Sequence, residues 1–132
     1  MEDVAPRTQL LNTRKLTMPR VFISQQPSRL EKSTNTWVPT VDVSSAEAFG
    51  PTIPLLPPNA GWLTPSEIDG RIREVLSKHK YCYDDYLLML GSPVAMASSI
   101  AHVSNIIRPE PIRLLVWDRM SFRYIEQPVR TR

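Results

Sequence analysis

From Asp85 to Trp117 the sequence spells a strand, a tight turn, a helix and a second strand, and few folds accommodate that order. Tyr86-Leu87-Leu88-Met89-Leu90 is an unbroken apolar run ended by Gly91, the pattern of a short strand covered on both faces. Ser92 then stands as a cap and Pro93 at the first helical position, where a missing N–H costs nothing. The helix this opens, over 93–107, carries an apolar stripe (Met96, Ile100, Val103, Ile107) and a polar one (Ser98, His102, Asn105). Arg108-Pro109-Glu110-Pro111 breaks it, and Ile112 to Trp117 reads as the next strand. A buried strand joined to another through one helix is a parallel, right-handed crossover. Asp118-Arg119-Met120-Ser121 turns the chain into a last strand, Phe122 to Val129, and so predicts a C-terminal hairpin.

Upstream, Thr64-Pro65-Ser66-Glu67 is a capping box, in which the threonine hydroxyl and the glutamate carboxylate each accept a backbone N–H. Ile68, Ile72, Val75 and Leu76 continue it as a helix over 65–79 with one buried face. Arg20 to Ser24 is strand-like, Gln25 to Asn35 reads as loop, and Thr36 to Val43 alternates as an irregular edge strand interrupted by Pro39. Ser44 or Ser45 caps a short helical turn that Gly50 ends, and Thr52 to Leu56 is a short strand qualified by Pro54. Residues 1–17 are polar and aperiodic and read as a flexible tail, with Met18 standing where an alternative start would fall. The expected organisation is that tail followed by a single α/β domain over 18–132. It holds a small Rossmann-like sheet of four to five strands and two main helices (65–79 and 93–107).

The 132 residues suit one domain with a modest core. Sixteen basic against thirteen acidic residues give a net charge of +3, spread along the chain, which is weak for a dedicated nucleic-acid binder. Cys82 is the lone cysteine, so neither a disulfide within the chain nor a cysteine-built zinc site can form. A free thiol suits a reducing compartment, and the polar stretch Met1 to Arg20 lacks a signal-peptide core, so a cytoplasmic location is expected. Tyr86 to Ile107 is a stretch of 22 residues without a formal charge, close to a bilayer span. Its Gly91-Ser92-Pro93 turn and polar Ser98, Ser99, His102, Ser104 and Asn105 favour strand–turn–helix, with no membrane association expected.

Gly91 and Ser92 are the candidate ligand-binding residues. A turn from a strand's carboxyl end into a helix N-terminus is where open α/β sheets hold anions, a nucleotide or phosphate above all. One glycine is not a glycine-rich loop, however, and Pro93 lacks a donor, so plain capping accounts for the same residues. Asp84-Asp85 is a carboxylate pair without further ligands at metal spacing, and a solvated loop explains it. His79 and His102 have no nucleophile beside them in sequence, His102 reads as facing solvent or a partner, and Cys82 reads as structural. No catalytic residue, metal site or cofactor is expected. Between Arg108 and Arg132 six arginines occur with no lysine, and Arg119, Arg123 and Arg130 alternate with Trp117, Phe122 and Tyr124. Arginine among aromatics binds nucleic acid or a protein partner; a hairpin with aromatics in the core and arginines in water uses the same residues, and Glu110, Asp118 and Glu126 dilute the charge.

Several words of the sequence, in order, resemble small proteins encoded by tailed bacteriophages, a group without an assigned activity. They are Met18-Pro19-Arg20-Val21-Phe22, Gln26-Pro27-Ser28-Arg29, Trp37-Val38-Pro39, Phe49-Gly50, Asp85-Tyr86-Leu87, Leu90-Gly91-Ser92-Pro93, Leu114-Leu115-Val116-Trp117-Asp118-Arg119 and Tyr124-Ile125. The resemblance spans about Met18 to Val129, carries no site residue with it, and implies a viral accessory protein acting in the host bacterial cytoplasm. The function expected is therefore a non-enzymatic phage accessory protein that contacts a host or viral protein. The alternatives are a nucleotide or phosphate binder at Gly91 and Ser92, and a weak nucleic-acid binder through the arginine-rich hairpin. Oligomeric state is left open.

Overall fold

The computed structural model describes residues 18–130; the tail expected over 1–17 lies outside them. The strands are β1 (Val21–Ile23), β2 (Ser28–Glu31), β3 (Thr36–Pro39), β4 (Thr52–Pro54), β5 (Tyr86–Leu88), β6 (Ile112–Asp118) and β7 (Arg123–Val129). The α-helices are α1 (Pro65–Lys78) and α2 (Pro93–Ile107). Five strands form one sheet in the order β4-β1-β5-β6-β7, with β4, β1, β5 and β6 mutually parallel and β7 antiparallel to β6. The α/β class, the crossover from β5 through α2 to β6 and the terminal hairpin are thus as the sequence predicts. Counting only these five strands in chain order, the sheet runs 2-1-3-4-5, one of the common doubly wound arrangements.

Both caps form. Thr64 Oγ1 accepts the N–H of Glu67 at 3.2 Å, and Glu67 Oε1 accepts that of Thr64 at 2.8 Å. Ser92 Oγ accepts the N–H of Ala95 at 3.2 Å. The two helices share one face of the sheet, where Ile68, Ile72, Leu76, Ala95, Val103 and Ile107 bury Phe22, Leu87 and Ile112. The α2 face in the core is built from small residues as much as large ones: Ala95 and Ser99 are fully buried, and Ser99 returns its hydroxyl proton to the Ala95 carbonyl. On the other face, Val43 and, from the 3-10 turn it precedes (Ser44–Phe49), Ala46 and Phe49 pack on Val21, Ile23, Tyr86, Leu88 and Leu115. Every strand residue of β1 and β5 is buried, as strands covered on both faces require.

Two expectations for the first half are corrected. The polar stretch 25–35 contains β2, which pairs antiparallel with β3 in a separate two-stranded sheet. Its residues Ser28, Arg29 and Glu31 lack apolar alternation because neither face of this hairpin enters the main core. The turn over 44–49 is not capped by a serine: Val43 is the residue at its start, and Asp42 instead accepts the N–H of Ser44 at 2.9 Å. Gly50 closes the turn with φ 148°, and a side chain there would strike the Pro19 carbonyl. No helix among the described residues is long and apolar enough to cross a membrane.

Candidate functional site

In the order β4-β1-β5-β6 the connections diverge between β1 and β5, so the crevice at their carboxyl ends is the switch point where such sheets receive ligands. Gly91 and Ser92 lie there, together with Ser24 and Gln25, which follow β1. Ser24 is fully buried; its Oγ accepts the N–H of Leu90 at 2.7 Å and donates to the Leu90 carbonyl at 2.5 Å. Gln25 Oε1 accepts the N–H of Ser92 at 2.8 Å. Gly91 has φ 97°, and a Cβ on it would collide with the Gln25 side chain. A neutral amide of the chain itself thus stands where an anion would take the Ser92 donor, Pro93 has no N–H, and Ser92 Oγ takes that of Ala95. Glutamine 67 residues upstream carries no sequence signal for this contact.

At the opposite end of the same strands sits a polar hub. Asp85 is 0% exposed, not a residue of a solvated loop. Its carboxylate accepts the backbone N–H of Arg20 at 3.0 Å, Arg20 Nε at 3.3 Å, an Arg20 terminal nitrogen at 2.8 Å and the N–H of Cys82 at 2.9 Å. The guanidinium of Arg20 also donates to the carbonyls of His79 and Lys80, at 2.6 and 3.2 Å, closing the end of α1. Cys82, Asp84 and Asp85 place one potential ligand atom each within 4.8 Å of one another, a grouping that spacing alone did not reveal. The Cys82 thiol bonds Asp84 and the Asp85 charge is matched by Arg20, so the group works as a clamp between β1, β5 and the end of α1.

Two residues of the polar stripe of α2, Ser98 and His102, reach α1, which corrects the expectation for His102, while Asn105 is exposed. Ser98 Oγ donates to Asp69 Oδ1 at 2.6 Å, and His102 Nε2 lies 2.9 Å from the same oxygen. The Ser98 hydroxyl, followed by His102, holds the Asp69 carboxyl below the usual carboxylate range. Serine and histidine meet on one carboxylate oxygen, with the serine proton committed to it, so this is an interhelical clasp and not a nucleophile with its base.

The hairpin differs most from a simple core element. Tyr124 is buried, but Trp117 is 47% exposed, Phe122 76% and Met120 90%. The aromatics are therefore divided between core and solvent, because the 3-10 turn reaches Tyr124 and nothing among the described residues covers the tip. The turn is fixed from within: Asp118 accepts the Ser121 hydroxyl at 2.5 Å and the N–H of Met120 at 3.3 Å. Those bonds, the Ser121 hydroxyl foremost, lower the Asp118 carboxyl from its ordinary value. Phe122 takes φ 53°, and Trp117 packs edge-on against Tyr124 with ring centroids 5.1 Å apart. Arg113 is drawn inward. It bonds Glu126 at 2.8 and 3.0 Å, donates to the Tyr86 hydroxyl at 2.5 Å and stacks 4.1 Å from that ring's centre. The Glu126 contact raises the Arg113 guanidinium and lowers the Glu126 carboxyl from their ordinary values. Arg119, Arg123 and Arg130 are exposed. Gly91 and Ser92 follow β5, whose register sets Leu88 beside Leu115 of β6, so they share the end of the sheet from which the tip with Arg119 and Arg123 projects, while Arg130 lies at the opposite end of β7.

A family model described as "Phage Pam3 gp32-like protein" matches residues 19–131. The chain belongs to that family. Membership makes it a phage protein and agrees with the phage resemblance read from its sequence; it brings no assigned activity to the family's residues here. No curated protein and no solved structure matches the chain.

Proposed function

We propose that the chain is a non-enzymatic phage accessory protein that docks a host or viral protein through the tip of the β6–β7 hairpin, inside the infected cell. The observation that carries this reading is the pair Met120 and Phe122, 90% and 76% exposed on a turn that Asp118 fixes from within. Large apolar side chains carried on a backbone turn that is already fixed add little backbone ordering cost on binding and supply the anchors from which interface energy comes. The open edge of β7 contributes less, since Arg123, Glu126 and Pro128 blunt it against strand addition. The nucleotide or phosphate reading ranks second, because Gln25 takes the Ser92 donor that such a ligand would use.

Immobilised full-length chain, incubated with lysate of phage-infected bacteria, tests the reading. It should retain a stoichiometric protein that a Met120→Ser, Phe122→Ser double variant releases. Equal retention by the variant, or no retained protein in repeated trials, would sink it.

A further inference from the structure

Resting on that reading of the tip, we infer that the partner presents an apolar pocket rimmed by carboxylates. The argument is one of charge left over after the hairpin's internal pairing. Arg113 is matched by Glu126. Asp118, the carboxylate of the tip, turns its oxygens back onto Met120 and Ser121. Arg123 stands opposite Asp118 in the strand register, an acid already engaged by Met120 and Ser121. Arg119 makes no ion pair among the described residues, and neither does Arg130 at the strand's far end. The outward charge around Met120 and Phe122 is therefore guanidinium, without lysine, and guanidinium pairs with carboxylates through two parallel bonds.

Phosphate polymers fit less well. A net charge of +3 gives a weak field for a polyanion, and stacking of bases on the exposed Phe122 and Trp117 rings would leave Met120, the most exposed apolar side chain of the tip, without a role. A protein pocket, in contrast, takes methionine and phenylalanine as anchors and places its acids at the rim, where they set orientation and encounter rate.

The probe is a displayed library of random peptides, panned on the full chain and counter-selected on the Met120→Ser, Phe122→Ser variant. The inference expects enriched peptides that interleave aromatic or aliphatic residues with Asp and Glu. Their affinity should fall about tenfold or more in an Arg119→Glu, Arg123→Glu variant and decline with added salt. Neutral or basic enriched peptides, or peptides indifferent to the arginine reversal, overturn the acidic rim while leaving the tip as the docking surface. Peptides that bind the Met120→Ser, Phe122→Ser variant equally well overturn the docking surface itself. Phosphatidylserine vesicles and a single-stranded oligonucleotide are run in parallel. Arginine-dependent binding to either, with no acidic peptide recovered, replaces the protein partner by a phosphate-bearing one and overturns the inference.

Discussion

Removing the Asp85 carboxylate should be among the most damaging single changes in this chain. In Asp85→Ala, the backbone donors of Arg20 and Cys82 lose their acceptor, and the Arg20 side chain, 18% exposed, keeps its charge with the His79 and Lys80 carbonyls and the Phe22 ring but no carboxylate from position 85. Each orphaned donor costs about 1–3 kcal/mol, and stripping one partner from a buried ion pair costs about 3–5 kcal/mol in total, the two figures overlapping because they count the same bonds. Against a domain stability of about 5–15 kcal/mol, that is a large fraction. The assay is equilibrium urea unfolding followed by circular dichroism. With a slope of about 1–3 kcal/mol per molar, the midpoint should fall by about 2 M. Arg20→Ala, measured alongside, should cost a similar amount, because the buried Asp85 carboxylate loses the Arg20 guanidinium. The double variant should lose less than the sum of the singles by about 1–3 kcal/mol, the signature of one shared contact. A loss under about 1 kcal/mol for Asp85→Ala, or strict additivity, would refute the account of this hub as a matched buried pair.

Other outcomes follow from the same geometry. Met120→Ser and Phe122→Ser should leave the urea midpoint of the chain within the change set by about 0.5 kcal/mol, since both side chains stand in water; a larger loss would mean that the tip serves the core. Gln25 already holds the Ser92 N–H, so phosphate and nucleotides should not raise the melting temperature of the wild-type chain; stabilisation of about 2.7 kcal/mol at a hundredfold excess over the dissociation constant would show an open site. Thr64→Ala should cost about 1 kcal/mol of stability through loss of the capping box, read from the same denaturation curves. Asp69 has a lowered folded value, so its contribution is full above the ordinary carboxylate value and fades as pH drops through the depressed one. The stability gap between wild type and Asp69→Asn should therefore close as pH falls through the depressed Asp69 value, and a gap that persists below it would contradict the clasp.

What the sequence made legible was local. Thr64 to Glu67 and Ser92-Pro93 bond within their own turns, so their residue types name the helix starts. β5 announced itself because a strand buried on both faces must be apolar throughout. The rest depended on distant partners. Arg20 and Asp85 lie 65 positions apart, and Asp69 and Ser98 lie 29 apart. Nothing in the spacing of either pair marks an acid as buried or a serine as shared. β2 stayed hidden because a hairpin outside the core needs no apolar alternation. At the tip, Trp117, Phe122 and Tyr124 form the same pattern whether a strand packs inward or outward. Only the position of the 3-10 turn over Tyr124 decides which ring is buried.

The Asp118 turn separates two demands that most loops must reconcile. Its shape is set by one carboxylate reaching a backbone N–H and a hydroxyl, while the side chains of Arg119, Met120 and Phe122 stand in solvent. A lineage of viruses moving between hosts can change those side chains without renegotiating the core, so long as Asp118 and Ser121 stay, position 120 keeps its N–H and position 122 takes a residue that tolerates a φ of 53°. Variation among relatives should then be concentrated where the molecule faces outward, on a frame that is inherited unchanged.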